Sequence, residues 1–364
     1  MKITSCRLFQ YEVPFQSKFF LKKTNIQARQ GLLVELTDEN QCCGWGEIAP
    51  LPQFSKETLP EAQRQLQSLF PHIKNQEIPD GAESLNGKFD LWLNQYRLYP
   101  SVRFGLETAV LNLLCRQNQK TLCQLLGNVI VHRIPVCGLL QGPINDVINQ
   151  AVDMINEGFT SFKLKIGREG FPGDLETIES LRDILHNQAT LCLDANQAWS
   201  YEQAIEFAQK IGPEDIKYIE EPFADTKMIP DFFAKTRIPV ALDESLVTLS
   251  KDQAKSIKGV NAFILKPTIL GGIENTFSWI RQAQRHALKT VISSSFETGV
   301  GIITLANLAA AAGEIHITAG LDTLRWFKND ILKSPFEVKN GHLDVRENIR
   351  SIDELHAQYI KQLS

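Results

Sequence analysis

The chain has 364 residues, 43% hydrophobic and 22% charged, with a formal net charge of −4. That length predicts about two domains, and the composition is ordinary for a soluble globular protein. The slight acidity and the lack of a long basic run argue against nucleic acid as a partner. The seven cysteines are scattered and contain no C-x-x-C pair, so neither a zinc site nor a disulfide frame is expected, and a reducing cytoplasm fits. The opening MKITSCRLFQYEVPF lacks a continuous apolar h-region, so no secretory signal is expected there. The most apolar run, GIITLANLAAAAG, is too short to span a bilayer; it predicts a buried helix, and no membrane partner.

Taken in chain order, residues 1 to about 100 mix strands and helices without a βαβ repeat. ITSCRLFQYEV and QGLLVELTDE predict strands, and CCGWGEIAPLP predicts a turn-rich segment. The intervening residues, about 15–30, are polar and aromatic without period and predict a mobile loop. SKETLPEAQRQLQSLF predicts a helix. The segment therefore predicts a separate α+β domain. From about 101 to 330 the texture changes. A helix, SVRFGLETAVLNLLCRQN, precedes eight candidate strands: IPVCGLL, SFKLKIG, ATLCLDAN, IKYIEEP, IPVALDES, NAFILKP, KTVISSS and IHITAGLD. Amphipathic stretches such as NDVINQAVDMINEG and SYEQAIEFAQKIG separate them. Repeated β-then-α units imply a parallel sheet, and eight in roughly 200 residues fit a TIM-type barrel. No dinucleotide or phosphate-loop fingerprint supports an open sheet instead. Residues 331–364 resemble the first domain in texture and are expected to return to it.

The ionisable residues fall at the strand ends. Lys163 and Lys165 share one face of the second candidate strand, with Phe162, Leu164 and Ile166 on the other. Asp194 ends the third, Glu220 and Glu221 the fourth, Asp243 and Glu244 the fifth, Lys266 the sixth and Ser293 to Ser295 the seventh. Any one of these alone is more simply a helix cap or a solvated side chain. As an ordered set over five successive strands they point to one barrel mouth, where active sites sit. Asp194, Glu220 and Asp243 offer hard oxygen ligands with no His or Cys beside them, which suits Mg²⁺ better than Zn²⁺. Lysines on the second and sixth strands flank that triad. An amine near a cation can be neutral enough to act as a base. The set suits proton abstraction α to a carboxylate, with the metal holding the enediolate.

At this point the chain resembles the enolase superfamily, in its muconate-lactonizing-enzyme-like branch. KLK, LDAN, IEEP, LDES and LKP match the barrel motifs in order. Four other segments, GWGEIAPLPQFS, PSVRFGLE, SSSFETGVG and AGLDTLRWF, are similar to one hydro-lyase family of that branch. The resemblance implies an α/β fold: a modified TIM barrel, (β/α)₇β, with an α+β capping domain built from the N-terminal segment plus the C-terminal tail. It implies Lys165 as general base, with its conjugate acid protonating a departing hydroxyl. Lys266 would stabilise the enolate from across the ring, and Lys163 would tune Lys165 or pair with the substrate carboxylate. Asp194, Glu220 and Asp243 would bind Mg²⁺, with Glu244 behind them. Ser293, Ser295, Gly320, Phe54 and Asn196 would contact or order a small carboxylate substrate, with the 15–30 loop closing over it.

The same lysine pair serves a 1,1-proton transfer, so an N-acylamino acid racemase or dipeptide epimerase is a sister reading. Dipeptide epimerases carry Asp-x-Asp on the eighth strand, where this chain has ITAGLDT. A non-catalytic ligand-binding barrel is the reading from another class. It predicts no metal dependence and tolerance of Lys165→Ala.

Overall fold

The computed structural model describes residues 1–21, 24–78, 85–127, 131–167, 171–186, 188–313, 317–346 and 354–363. Strands β1 (Ile3–Leu21), β2 (Thr24–Asp38) and β3 (Cys43–Ile48) form an antiparallel sheet. Two expectations change here. Most of the supposed 15–30 loop is paired strand, with Phe19 opposite Ile26 and Leu21 opposite Thr24; residues 22 and 23 lie outside the described ones. The register shifts between Pro14 and Phe19. A shift breaks the alternation of two by which a strand is recognised. The supposed turn-rich CCGWGEI is strand β3, pairing Leu32 with Ile48 through Thr37 with Cys43.

Helix α1 (Leu59–Ile73) starts with a capping box between Thr58 and Glu61 and buries Ala62, Leu66, Leu69 and Ile73. That spacing is one helical face. After α2 (Lys88–Leu93), α3 (Pro100–Asn118) is buried nearly all round, at Val102, Phe104, Leu106, Val110, Leu111 and Leu114 among others. It lies against β3, and its backbone comes so close that a Cβ at Gly44 or Gly46 would collide with the carbonyls of Ala109 and Gly105. The glycines in GWGE are therefore strand residues chosen for helix approach.

The chain then runs through α4 (Leu122–Leu126), β4 (Arg133–Pro135), β5 (Gly138–Leu140), α5 (Ile144–Asn156), β6 (Ser161–Lys165), α6 (Phe171–Leu185), β7 (Thr190–Asp194), α7 (Tyr201–Ile211) and β8 (Ile216–Glu220). It continues through α8 (Ile229–Thr236), β9 (Val240–Leu242), α9 (Lys251–Lys255), β10 (Val260–Leu265), α10 (Pro267–Leu270), α11 (Ile273–Arg285), β11 (Lys289–Ile292) and α12 (Gly299–Ala312). Strands β5 to β11 form one parallel sheet in sequence order. Each expected barrel strand is present except the eighth. Instead of a full strand, Ala319 and Gly320 make single parallel bridges to Val136 and Ser293. Hydrogen bonds from Cys137 N to Ala319 O and from Ser294 N to Gly320 O join the two edges of the sheet. Finally β12 (His342–Asp344) pairs with β4, and β13 (Ile360–Leu363) adds to β1, giving the order β13-β1-β2-β3. This is a modified TIM barrel with an α+β cap. Among the described residues no helix is long and apolar enough to cross a membrane.

Candidate active site

The parallel register carries the site. Lys165 is opposite Asp194 on β7, and Asp194 is opposite Glu220 on β8. Residues in register across parallel strands leave the same sheet face at the same height. Asp243 and Lys266 stand one residue past β9 and β10, at the same mouth. Lys163 lies two residues below Lys165 on β6, and Phe162 and Leu164, on the opposite face, are buried.

Three lysine amines and three carboxylates thus meet at the mouth. Lys163 Nζ lies 3.1 Å from Asp194 Oδ2 and 3.2 Å from Glu220 Oε1. Lys165 pairs with Asp194 and donates to Asn196 Oδ1 at 2.7 Å. Lys266 pairs with Asp243. Asn196 in turn donates to Glu244 Oε1 at 2.9 Å, so it links Lys165 to Glu244.

The titration behaviour separates the lysines. Burial works against the charge on all three. For Lys163 the carboxylates of Glu220, Asp194 and Asp243 outweigh it and hold the pKa well above lysine's ordinary value. For Lys266 burial is outweighed by Asp243, helped by Glu220 and Glu244, and the pKa is again raised. For Lys165 burial wins: with the Lys163 and Lys266 charges nearby, it falls below its ordinary value despite Asp194. Asp194 is held low, burial notwithstanding, by Lys165, Lys163 and Lys266. Glu220 is pushed well up by burial and by the Asp194 charge. Glu244 is pushed up to about 7, first by burial and then by Asp243.

A cavity of about 60 Å³ opens on this cluster, its walls including Lys163, Lys165, Lys266, Ser293, Ser294 and Phe296. Gly320 also lines it, and a Cβ there would come within 2.6 Å of Ser293 Oγ. Ser295 is different. It is fully buried, its backbone N–H donates to Glu297, and its hydroxyl does not reach the cavity wall. Ser294 takes that place, its hydroxyl donating to Glu297 Oε2 at 2.7 Å. Phe54 reaches in from the cap, its ring centroid 6.0 Å from Lys266 Nζ.

Three contributors escaped the sequence reading. Glu221 follows Glu220 but turns the other way and accepts from Asp243 N, Ser245 N and Ser245 Oγ, each at 2.8 Å. It holds the turn that carries Asp243. Glu221 stands one residue past β8 with a φ of 44°, so the chain turns there and its side chain leaves in another direction. Asp322 lines the cavity and pairs with Arg325 at 2.6 Å; burial pushes its carboxyl up to about 7. Arg29 is taken up below.

Among the described residues, no three His, Cys, Asp or Glu side chains are gathered closely enough to form a metal cage as they stand, and lysines pair with the Asp194, Glu220 and Asp243 carboxylates. The donor chemistry nevertheless fits a hard cation. Asp194, Glu220 and Asp243 are buried oxygen donors that repel one another, and Glu244 Oε2 is a buried acceptor without a donor.

Residues 146–349 match the family described as enolase C-terminal domain-like, and residues 3–113 match the MenC N-terminal domain. The o-succinylbenzoate synthase of Haemophilus influenzae is 32% identical, over 91% of this chain and 93% of that one. That of Pasteurella multocida is 34% identical, over 88% and 90%. The chain belongs to the o-succinylbenzoate synthase family of the enolase superfamily. A plant relative of this family member, Protein PHYLLO, chloroplastic, of Arabidopsis thaliana, is 29% identical over 89% of this chain but only 21% of its own length, so the chain spans about a fifth of that protein. Solved structures carry the fold. Muconate lactonizing enzyme from Pseudomonas fluorescens superposes with a TM-score of 0.85 at 22% identity, covering 94% of both chains. N-succinyl Arg/Lys racemase from Bacillus cereus gives 0.85 at 20%, covering 100% of both. A dipeptide epimerase from Enterococcus faecalis, complexed with Mg and L-Leu-L-Tyr, gives 0.84 at 20%, covering 99% of this chain and 100% of that one.

The synthase-like segments now have physical roles, and most join cap to barrel. Glu47 of GWGE is fully buried and accepts from Thr298 N at 2.9 Å, Thr298 Oγ1 at 2.8 Å and Gly301 N at 2.8 Å. It caps α12, whose own N-cap side chain makes no capping bond. Glu107 of PSVRFGLE accepts from Ile273 N at 2.6 Å and Glu274 N at 2.9 Å, capping α11 behind Gly272.

Proposed function

We propose that the protein dehydrates 2-succinyl-6-hydroxy-2,4-cyclohexadiene-1-carboxylate to o-succinylbenzoate, the hydro-lyase step of menaquinone biosynthesis. Support for the substrate comes from the relatives of like length; support for the chemistry comes from the pocket. The observation that carries it is geometric: Lys165 on β6 and Lys266 just past β10 line one cavity, and Asp194, Glu220 and Asp243 stand at the ends of the strands between them.

Lys165 Nζ removes the proton from the ring carbon that bears the carboxylate. The electron pair moves into the carboxylate as an enediolate, and the Lys266 ammonium, on the far side of the mouth, stabilises that charge. Lys165, now an ammonium, gives its proton to the hydroxyl on the adjacent ring carbon, on the same face, as the electron pair returns to form the new ring double bond. The C–O bond breaks, water leaves, and the ring becomes aromatic. Asn196 and Asp194 hold Lys165 in line for both transfers. Asp194, Glu220 and Asp243 would hold Mg²⁺, which supplies Lewis-acid stabilisation of the carboxylate as it gains charge. Lys163, locked against Glu220 and Asp194, keeps those carboxylates oriented. Ser293, Ser294 and Phe296 form the wall available to the succinyl tail, and Phe54 shields Lys266 from water.

The test is direct. Purified protein with Mg²⁺ is given the cyclohexadiene carboxylate, and aromatic product is followed by ultraviolet absorbance. Turnover supports the reading. No turnover, together with rapid racemization of N-succinylamino acids, sinks it in favour of the 1,1-proton transfer that the same lysines permit.

A further inference from the structure

Arg29 is a buried cation that the proposed reaction does not use. It lies on β2 of the cap and is only 3% exposed. Its Nε donates to Phe296 O at 2.9 Å. One terminal nitrogen donates to Gln30 O at 3.0 Å and Pro50 O at 2.9 Å. The other donates to Ala49 O and, at 3.3 Å, to Ser295 O. A guanidinium has five N–H donors, and here five backbone carbonyls take them. Among the described residues no carboxylate pairs with it. A buried cation is costly unless its partners fully replace water, so this arrangement demands an unusually definite placement of those carbonyls.

The carbonyls belong to both sides of the cavity mouth. Ala49 and Pro50 begin the cap segment that leads to Phe54, whose ring faces Lys266. The turn between them is short: Phe54 N donates to Leu51 O at 3.1 Å, which ties the Phe54 backbone to the segment whose carbonyls Arg29 holds. The chain runs on from the wall residues Ser293 and Ser294 through Ser295 to Phe296, which itself lines the cavity. Phe296 has a φ of 60°, a left-handed conformation that a bulky residue adopts only when its surroundings impose it. The bond from Arg29 Nε to its carbonyl is one such constraint.

We propose that Arg29 is a positioning and specificity-determining residue: it fixes Phe54 of the cap against Phe296 of the barrel, and so sets the width of the entrance that receives the part of the substrate remote from the reacting carbons. This rests on the dehydratase reading for the identity of the substrate, not for the geometry. A lysine at position 29 keeps the charge but presents a point donor in place of a five-pronged plane. It cannot hold both walls.

The experiment compares wild type, Arg29→Lys and the double variant with Phe54→Ala. Wild-type turnover of the cyclohexadiene carboxylate is measured first; its absence is a failure of the dehydratase reading and is seen before any variant is made. With wild type active, Arg29→Lys is expected to raise KM at least tenfold while kcat stays within about threefold. Millimolar guanidinium should bring KM back towards the wild-type value, and Phe54→Ala should add less than threefold to KM in the Arg29→Lys background. A merely structural role lowers the melting temperature without a KM change, so an unchanged KM in a folded Arg29→Lys protein overturns the proposal. An Arg29→Lys protein that is insoluble and is not recovered by refolding with guanidinium overturns it too, by assigning the residue to folding alone.

Discussion

Lys165 shows how far a single residue's role depends on its neighbours. Lys163 and Lys165 are the same side chain on the same strand face, two residues apart. They differ because Lys163 meets two carboxylates, whereas Lys165 meets one and feels two other ammonium groups. Lys165→Ala removes both the base and the acid of the proposed reaction, so dehydration should fall by about 10³-fold or more. Steady-state ultraviolet kinetics checks this, with circular dichroism to show an intact fold; near-normal turnover would move the base elsewhere. The charged residues of the site were legible because each strand end carries one, at βα-unit spacing. Ser294 and Ser295 were not, because the strand ends at Ile292 and alternation no longer says which hydroxyl faces in.

At the scale of elements, local pattern identified helices well and was misled by glycine. The CCGWGEI segment reads as a turn from its composition, yet is a strand because α3 presses its backbone against Gly44 and Gly46. Gly46→Ala would drive a methyl group into the Gly105 carbonyl. A loss of about 2–3 kcal/mol is expected, read as a lower urea midpoint at unchanged m-value. A midpoint within error of wild type would mean the helix can retreat at little cost. The caps of α11 and α12 were also invisible locally, because their acceptors, Glu107 and Glu47, come from more than 160 residues away.

The whole molecule is held together by such buried groups, and this gives it a pH dependence. Burial pushes the Glu47 carboxyl up to about 7, above the ordinary value of 4.5. A carboxyl whose folded pKa is raised contributes stability that is fully present below the unfolded value and is lost as pH rises through the folded one. Glu47→Gln cannot ionise, so the difference in unfolding free energy between it and wild type should shift in favour of the variant between about pH 4.5 and 7. Urea melts across that range test it, and a constant difference would refute it. Metal binding also acts globally. If the three carboxylates take Mg²⁺ in the folded state only, free Mg²⁺ at about a hundred times its Kd should stabilise by about 2.7 kcal/mol. Differential scanning calorimetry after chelation and readdition checks this; a melting temperature indifferent to Mg²⁺ would argue that no ion binds there.

By itself the sequence determined the alternation of barrel strands and helices, the ring of Lys, Asp and Glu at their ends, and the family. Those signals are periodic or chemical, and both survive in one dimension. Tertiary structure alone decided the different charge surroundings of Lys163 and Lys165, which serines line the cavity, and that Glu220 faces the pocket while Glu221 braces the Asp243 turn. It also revealed that the eighth strand is reduced to two bridging residues, and that Arg29 and Glu47 of the cap, and Glu107 of α3, reach elements distant in sequence. Each of these depends on electrostatic sums, backbone turns or long-range hydrogen bonds, and none of those leaves a period in the chain.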